Sequence, residues 1–476
     1  RADALIPFFA RTFTFMHFPL IKTLFRAASA LFLVSVLTAC GGSGSSGNSD
    51  YTYAYLHFYN GSPNGATVYF RELDGDDLGA AQFGDSSSLL ALDSGELELE
   101  FYRLDSDDQE VVIDELTVQL KKSYKTVVIM RGDFESPTFE SYQFKRETLD
   151  EHFRLMATSV LLDETQSFDL YMSDAGDPFE AANYLGTIEA GELTEYTYWD
   201  GDSDSEDFNE DEYTIYLTNP GETDVVFETP TINFAYNTEY VLLMRDISGA
   251  IQNGMAMDVL LNSSTVSEVT DVDALSQYRI YNSLDSDSPI TVTFTGDDEG
   301  EAITLTLAAG EVSDFTEINY GDYRISASIG DTSLTAFNNK LITLNQSESK
   351  AIVIYEKAGA LASLSFVESS LSQAYDKTIN FVNLVEDYDD VDFYLVRHDE
   401  TIDTAEYSVQ NVEFTETDTD VVPADYYEII AVHEDNNDEQ YLLYRLPLTG
   451  FNEDTNYIIT VEPSDNASGY EIVVVD

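Results

Sequence analysis

Four strand signals recur in one order four times along this 476-residue chain, and that recurrence limits the fold more than any other feature. The first is an opening strand at residues 55–60, 153–158, 278–282 and 379–383. The second alternates apolar and polar side chains and runs into acidic turn residues, at 66–70, 168–172, 290–294 and 391–395. The third starts near a turn, at 97–101, 212–217, 321–325 and 423–429. The fourth is a closing strand after a polar turn, at 123–129, 238–243, 349–354 and 455–460.

Period-two alternation, β-branched and aromatic enrichment, and Gly/Asp/Asn/Ser turns argue for strands throughout. No stretch after Cys40 has the period of an amphipathic helix. Units of about 100 residues match a two-sheet sandwich that closes its own core. The expected fold is all-β: four tandem β-sandwich, immunoglobulin-like domains behind an N-terminal lipoprotein signal peptide. The sandwiches are placed at 51–147, 148–262, 276–366 and 378–476, with polar linkers at 263–275 and 367–377 and an acidic insertion in the second copy. Such an arrangement predicts beads on a string.

Ahead of the repeat, Met16 is followed by Lys22 and Arg26, then by an uncharged, mostly apolar run at 27–39. These are the n-region and h-region of an export signal. The run is shorter than the about 20 residues that a spanning helix needs. It ends in Leu37-Thr38-Ala39-Cys40, which resembles the lipobox of bacterial lipoproteins. That resemblance implies cleavage after Ala39, acylation of Cys40 and a flexible Gly/Ser leash at 40–50. Translation is expected to start at Met16, with residues 1–15 set aside. Several acyl chains give stable anchoring, since each buried CH₂ contributes about 0.8 kcal/mol and one chain holds only reversibly. Gly41 stands where the family's inner-membrane retention signal has Asp, which implies the outer membrane, facing the periplasm or the cell surface.

The chain carries a formal charge of −67, and cleavage after Ala39 would deepen it by removing Arg1, Arg11, Lys22 and Arg26 against only Asp3. This charge repels phosphate backbones, so nucleic acid is excluded as a partner. Yet 31 tyrosines and 28 phenylalanines set the composition apart from a disordered polyanion. Cys40 is the only cysteine, so the folds stand without disulfides.

The repeat unit resembles DUF4397, a bacterial domain family of unknown function. Phe58-Tyr59-Asn60-Gly61-Ser62-Pro63 matches its first signature, Val391-Asp392-Phe393-Tyr394 its second, and Pro423-Ala424-Asp425-Tyr426 comes nearest to its third. Residues 83–84, 90–95 and 124–129 follow the same pattern. The resemblance implies an exported sandwich and no assigned reaction.

Chemistry is sparse. His57, His152, His398 and His433 show no metal-ligand spacing; His57 lies in a strand and reads as packing, the others as solvated. G-x-S-x-G, H-E-x-x-H and phosphate-loop patterns are absent from the sequence. A glycosidase carboxylate pair is unidentifiable among so many acids. The sharpest cofactor candidate is the run at 200–212, where Asp200, Asp202, Asp204, Glu206 and Asp207 offer the oxygens that Ca²⁺ takes. Ser205 and Asp211 depart from the EF-hand pattern, and a solvated hairpin tip is the simpler reading. Trp199, beside it, reads as core or as a sugar-stacking ring. The function expected is a non-catalytic outer-membrane scaffold, adhesin or binding protein, held to the membrane by its lipid and meeting an envelope protein or glycan. The alternatives are a Ca²⁺- or carbohydrate-binding module, and a cell-envelope hydrolase.

Overall fold

A computed structural model describes residues 53–476 apart from 106–108, 148, 198–207, 248–253, 263, 265, 286–287, 297–301, 331–335, 369–373, 436, 438 and 452–454. Cys40, Trp199 and the acidic candidates Asp200, Asp202, Asp204, Glu206 and Asp207 lie outside the described residues. Within them the chain is all-β, with two single 3₁₀ turns, Phe179–Ala181 and Ile402–Thr404, as the other regular elements.

Each recurring signal is a central strand of a sheet. The opening strands Ala54–Asn60, His152–Ser159, Ser276–Asn282 and Asp376–Asn383 pair in parallel with the closing strands Tyr124–Arg131, Glu239–Asp246, Ser349–Lys357 and Tyr457–Pro463. The second strands Val68–Glu72, Phe168–Asp174, Ile290–Gly296 and Asp390–Val396 pair antiparallel with the third strands Gly95–Leu104, Glu212–Thr218, Gly321–Ile329 and Tyr426–Glu434. Shorter strands and hairpin partners flank both couples, so every copy is one sheet of opening and closing strands packed on one sheet of second and third strands. Parallel neighbours need a long crossover, and the second sheet is that crossover.

A buried asparagine ties the two sheets together. Asn60 ends the first opening strand; its Oδ1 accepts from the Ser62 amide and its Nδ2 donates to the Ala66 and Ala81 carbonyls. Asn282 repeats this with the Leu284 amide and the Leu307 and Ala308 carbonyls, and Asn383 with the Val385 amide and the Val412 carbonyl. Ser159 takes the place in the second copy, accepting from the Leu161 amide. A short amide that turns the chain and caps a carbonyl on the other sheet explains the asparagine in the first signature.

The copies differ from isolated beads. Strand alternation sends Val128 and Met130 into the core of the first sandwich, while Val127 and Ile129 point out of it. Those outward residues join Tyr59 and Phe144 against Met156, Val160, Val241, Leu243 and Leu260 of the second copy. In the same way Tyr281, Ala351, Val353 and Tyr355 of the third copy meet Val382, Leu384, Ile458 and Val475 of the fourth. Each such side chain, fully buried, contributes roughly 1.5–3 kcal/mol, enough to pair the sandwiches sheet to sheet.

The expected linkers also change. Ser267–Thr270, inside 263–275, is a strand that pairs with Met255–Leu260 and extends the second sandwich. Inside 367–377, the Ala374 amide donates to the Asn64 carbonyl, and the Tyr375 ring packs edge-on to Phe134 with Arg103 over its face. The start of the fourth sandwich is thereby fastened to the first.

Candidate functional site at the paired faces

Where two opening-and-closing sheets face each other, apolar strands carry single polar side chains. Tyr281 precedes the buried Asn282, and its hydroxyl donates to Glu462 Oε1 at 2.8 Å across the seam between the third and fourth copies. Burial pushes the Glu462 carboxyl up to about 7; hydrogen bonds from Ser283 and Tyr281 pull the other way, and the charges of Glu471 and Asp285 add to the rise. The Tyr281 phenol is also raised, by burial first and by the Glu462 charge second.

Arg279, two residues before Tyr281, forms a forked pair with Glu368 at 2.8–3.0 Å, and its Nη1 donates to the Asp476 carbonyl at 2.8 Å. The Phe315 ring lies under its guanidinium at 4.8 Å. A planar fork with five donors suits such a carboxylate-and-carbonyl cradle.

The first pair of copies solves the same problem differently. Tyr59 precedes Asn60 and donates to Asp258 Oδ2 at 2.7 Å, and Arg245 Nε holds the same oxygen at 2.7 Å. Arg245 also pairs with Glu268 and lies 4.9 Å from the centre of the Phe83 ring. Gly84 is required here: its φ is +70°, and a Cβ would come within 3.0 Å of Arg245 Nε. Arg245 and Glu462 hold the same place in their closing strands, each one residue beyond a carbonyl that accepts from the residue after the opening strand. One pair thus carries the carboxylate in that strand. The other carries a cation that recruits a carboxylate from the neighbouring strand.

These contacts are suited to holding register. A buried charge without its partner costs several kcal/mol, so only the observed alignment of the two sheets is tolerated. The signal for them was a charged residue inside an apolar strand, as in Leu242-Leu243-Met244-Arg245 or Thr460-Val461-Glu462. Period-two reading assigns such residues to solvent, which hides their role.

The structure keeps the histidines apart. His57 is fully buried, with Nε2 2.8 Å from the Ser87 carbonyl, in keeping with a packing role. His398 is exposed. His433 was expected to be solvated, yet it is largely covered by the rings of Tyr388 and Tyr441, with Nδ1 2.9 Å from the Asp390 carbonyl. Among the described residues, three or more His, Cys, Asp or Glu side chains nowhere converge as a metal site would need. No helix among them is long and apolar enough to cross a membrane.

No family model matches the chain, and no curated protein is significantly similar to it. Solved structures are similar only at low scores. The chain is 10% identical to the Bacillus anthracis TIE protein over 89% of this chain and 73% of that one, with a TM-score of 0.17. It is 12% identical to BcpA, the major pilin subunit of Bacillus cereus, over 63% and 98%, also with a TM-score of 0.17. A tetra-tandem repeat from the extending region of a large adhesion protein gives 10% identity over 89% and 99%, with a TM-score of 0.09. Superpositions this loose say nothing of shared function.

Proposed function

We propose that the chain is a non-catalytic envelope lipoprotein, anchored in the outer membrane through Cys40, whose paired sandwiches form a scaffold for an envelope protein or glycan partner. The observation that carries the scaffold reading is the use of buried polar pairs, Tyr59 with Asp258 and Tyr281 with Glu462, in joining one copy to the next. Perturbed titratable groups are where catalysis is first sought. Here both pairs are buried between sheets and spend their hydrogen bonds on each other across the seams. The anchor rests on the lipobox resemblance of Leu37-Thr38-Ala39-Cys40 and on the leash behind it.

The test is fractionation of cells expressing the full chain and its Cys40→Ser variant. The variant is expected in the soluble fraction with an unchanged melting temperature, and crosslinking of the wild type on intact cells is expected to capture a partner. Membrane retention of the variant would remove the anchor from the proposal. Turnover of polysaccharide or peptide panels by the released protein would remove its non-catalytic half.

A further inference from the structure

A second polar cluster lies on the seam of the first pair of copies, and it holds an amine beside a carboxamide. Lys125, wholly buried in the first closing strand, donates from Nζ to the Leu261 carbonyl at 2.7 Å and to Asn262 Oδ1 at 3.3 Å. Asn262 Nδ2 donates to Thr238 Oγ1 at 2.7 Å, and Thr238 Oγ1 donates to Glu239 Oε2 at 3.2 Å. Glu239 is itself buried; its Oε1 accepts from the Glu147 amide at 3.1 Å, and Arg146 Nε lies 3.9 Å from Oε2. Amine, amide, hydroxyl and carboxylate form one connected series between two sandwiches.

Lys125 and Glu239 are counterparts. Each lies five residues before the closing-strand carbonyl, Met130 or Met244, that accepts from the residue after the opening strand. Ser349 and Asn456 fill that place in the third and fourth copies, so the first pair alone has the amine there. Burial, aided by the Arg146 charge and opposed by Glu239, pushes the Lys125 amine down to about 7. A desolvated lysine near neutrality has a free lone pair and is a nucleophile. Oδ1 and Cγ of Asn262 are one bond apart, so an amine already hydrogen-bonded to Oδ1 needs only a short closing movement to reach Cγ.

We propose that Lys125 and Asn262 join in an isopeptide bond that staples the first sandwich to the second. Lys125 Nζ attacks Asn262 Cγ, and the Cγ–Nδ2 bond breaks. Glu239 and Thr238 take up the proton that Nζ sheds, and the Thr238 hydroxyl, already bonded to Nδ2, returns one to the departing nitrogen. A primary amine and a carboxamide become a secondary amide and one ammonia, with no oxidant, reductant or co-reactant. Thr238 touches the leaving atom, while Glu239 acts through it as a positioning residue. The staple suits a chain whose only cysteine is Cys40.

Tryptic mapping of the full chain, purified and held at pH 8, tests this. The expected product is a branched peptide uncut at Lys125, joined to the Asn262 peptide and lighter than the two together by one ammonia. Recovery of both as linear peptides, with cleavage after Lys125, overturns the proposal, and this decides it whether or not any variant folds. Lys125→Met and Asn262→Ala are expected to abolish the branch. Glu239→Gln is expected to slow its appearance and to shift the pH profile of the rate, with Glu239→Asp restoring part of it. An unchanged rate and profile in Glu239→Gln overturn the relay.

Discussion

The Tyr281 hydroxyl donates a 2.8 Å hydrogen bond to Glu462, and the two residues belong to different copies of the repeat. The contact makes the seam between those copies sensitive to protons. The Glu462 carboxyl has an ordinary value of 4.5 and is pushed up to about 7 in the fold, so the folded state binds the proton more tightly than the unfolded chain. Its contribution to stability is complete below pH 4.5, falls as pH rises, and is lost above about 7. The difference is on the order of 3 kcal/mol. Glu462→Gln keeps a neutral partner for Tyr281 and is expected to be more stable than the wild type at pH 8 and similar to it at pH 4. Urea unfolding of both proteins across that range gives the answer, and parallel pH profiles would contradict it.

Arg245→Met in the first pair is expected to be far more damaging than Tyr59→Phe. The first leaves Asp258 buried without its cation, a loss of about 3–5 kcal/mol. The second removes one of two donors to the same oxygen, a loss of about 1 kcal/mol. Adding Asp258→Leu to Arg245→Met should recover much of the larger loss, because the stranded charge goes with it. Equilibrium unfolding of the three variants orders them.

Asn60→Ala, Asn282→Ala and Asn383→Ala are each expected to destabilise their own sandwich by about 1–3 kcal/mol, since carbonyls on the facing sheet lose a buried donor. Hydrogen exchange should show the loss in the opening strand of the altered copy first. Equal loosening of all copies would mean that the sandwiches unfold as one unit.

With a formal charge of −67, the chain repels itself, and salt should raise its melting temperature. At 1 M ionic strength the Debye length is about 3 Å, so the repulsion is nearly gone. Sodium chloride and choline chloride should act alike in calorimetry if screening is the cause. A response to one and not the other would rule screening out.

The four strand signals were legible because central strands are where the apolar pattern is strongest. What eluded period-two reading was the sheet-to-sheet pairing, although its mark was present. Val127, Val128, Ile129 and Met130 form an unbroken apolar run, as do Val241, Leu242, Leu243 and Met244. Such a run means burial on both faces, one in a sandwich core and the other against a neighbour. The third copy's second strand, Ile290–Gly296, truly alternates because its outer face is partly exposed. Asp390–Val396 of the fourth copy is instead buried on both faces, with Tyr394 and Val396 packed on Ile430 and Val432. The short strand Ser267–Thr270 escaped notice for the opposite reason: an edge strand half exposed on both sides has the composition of a linker. In the sequence Arg245, Asp258, Lys125 and Glu462 are single charges, whose meaning depends on which side chains face them across the seam.

The parallel pairing has a mechanical side. Tyr55 lies opposite Lys125 at the start of the first closing strand, and Tyr124 lies opposite Lys145 at the end of the strand that follows. The chain therefore comes in and goes out at one end of the same sheet, separated by two strand spacings, about 10 Å. Tension along the backbone would pull these strands apart sideways, breaking the ladder one hydrogen bond at a time rather than all together. A single sandwich is thus soft in the direction in which a tethered chain is stretched, and the faces pressed together across each seam are what resist the pull.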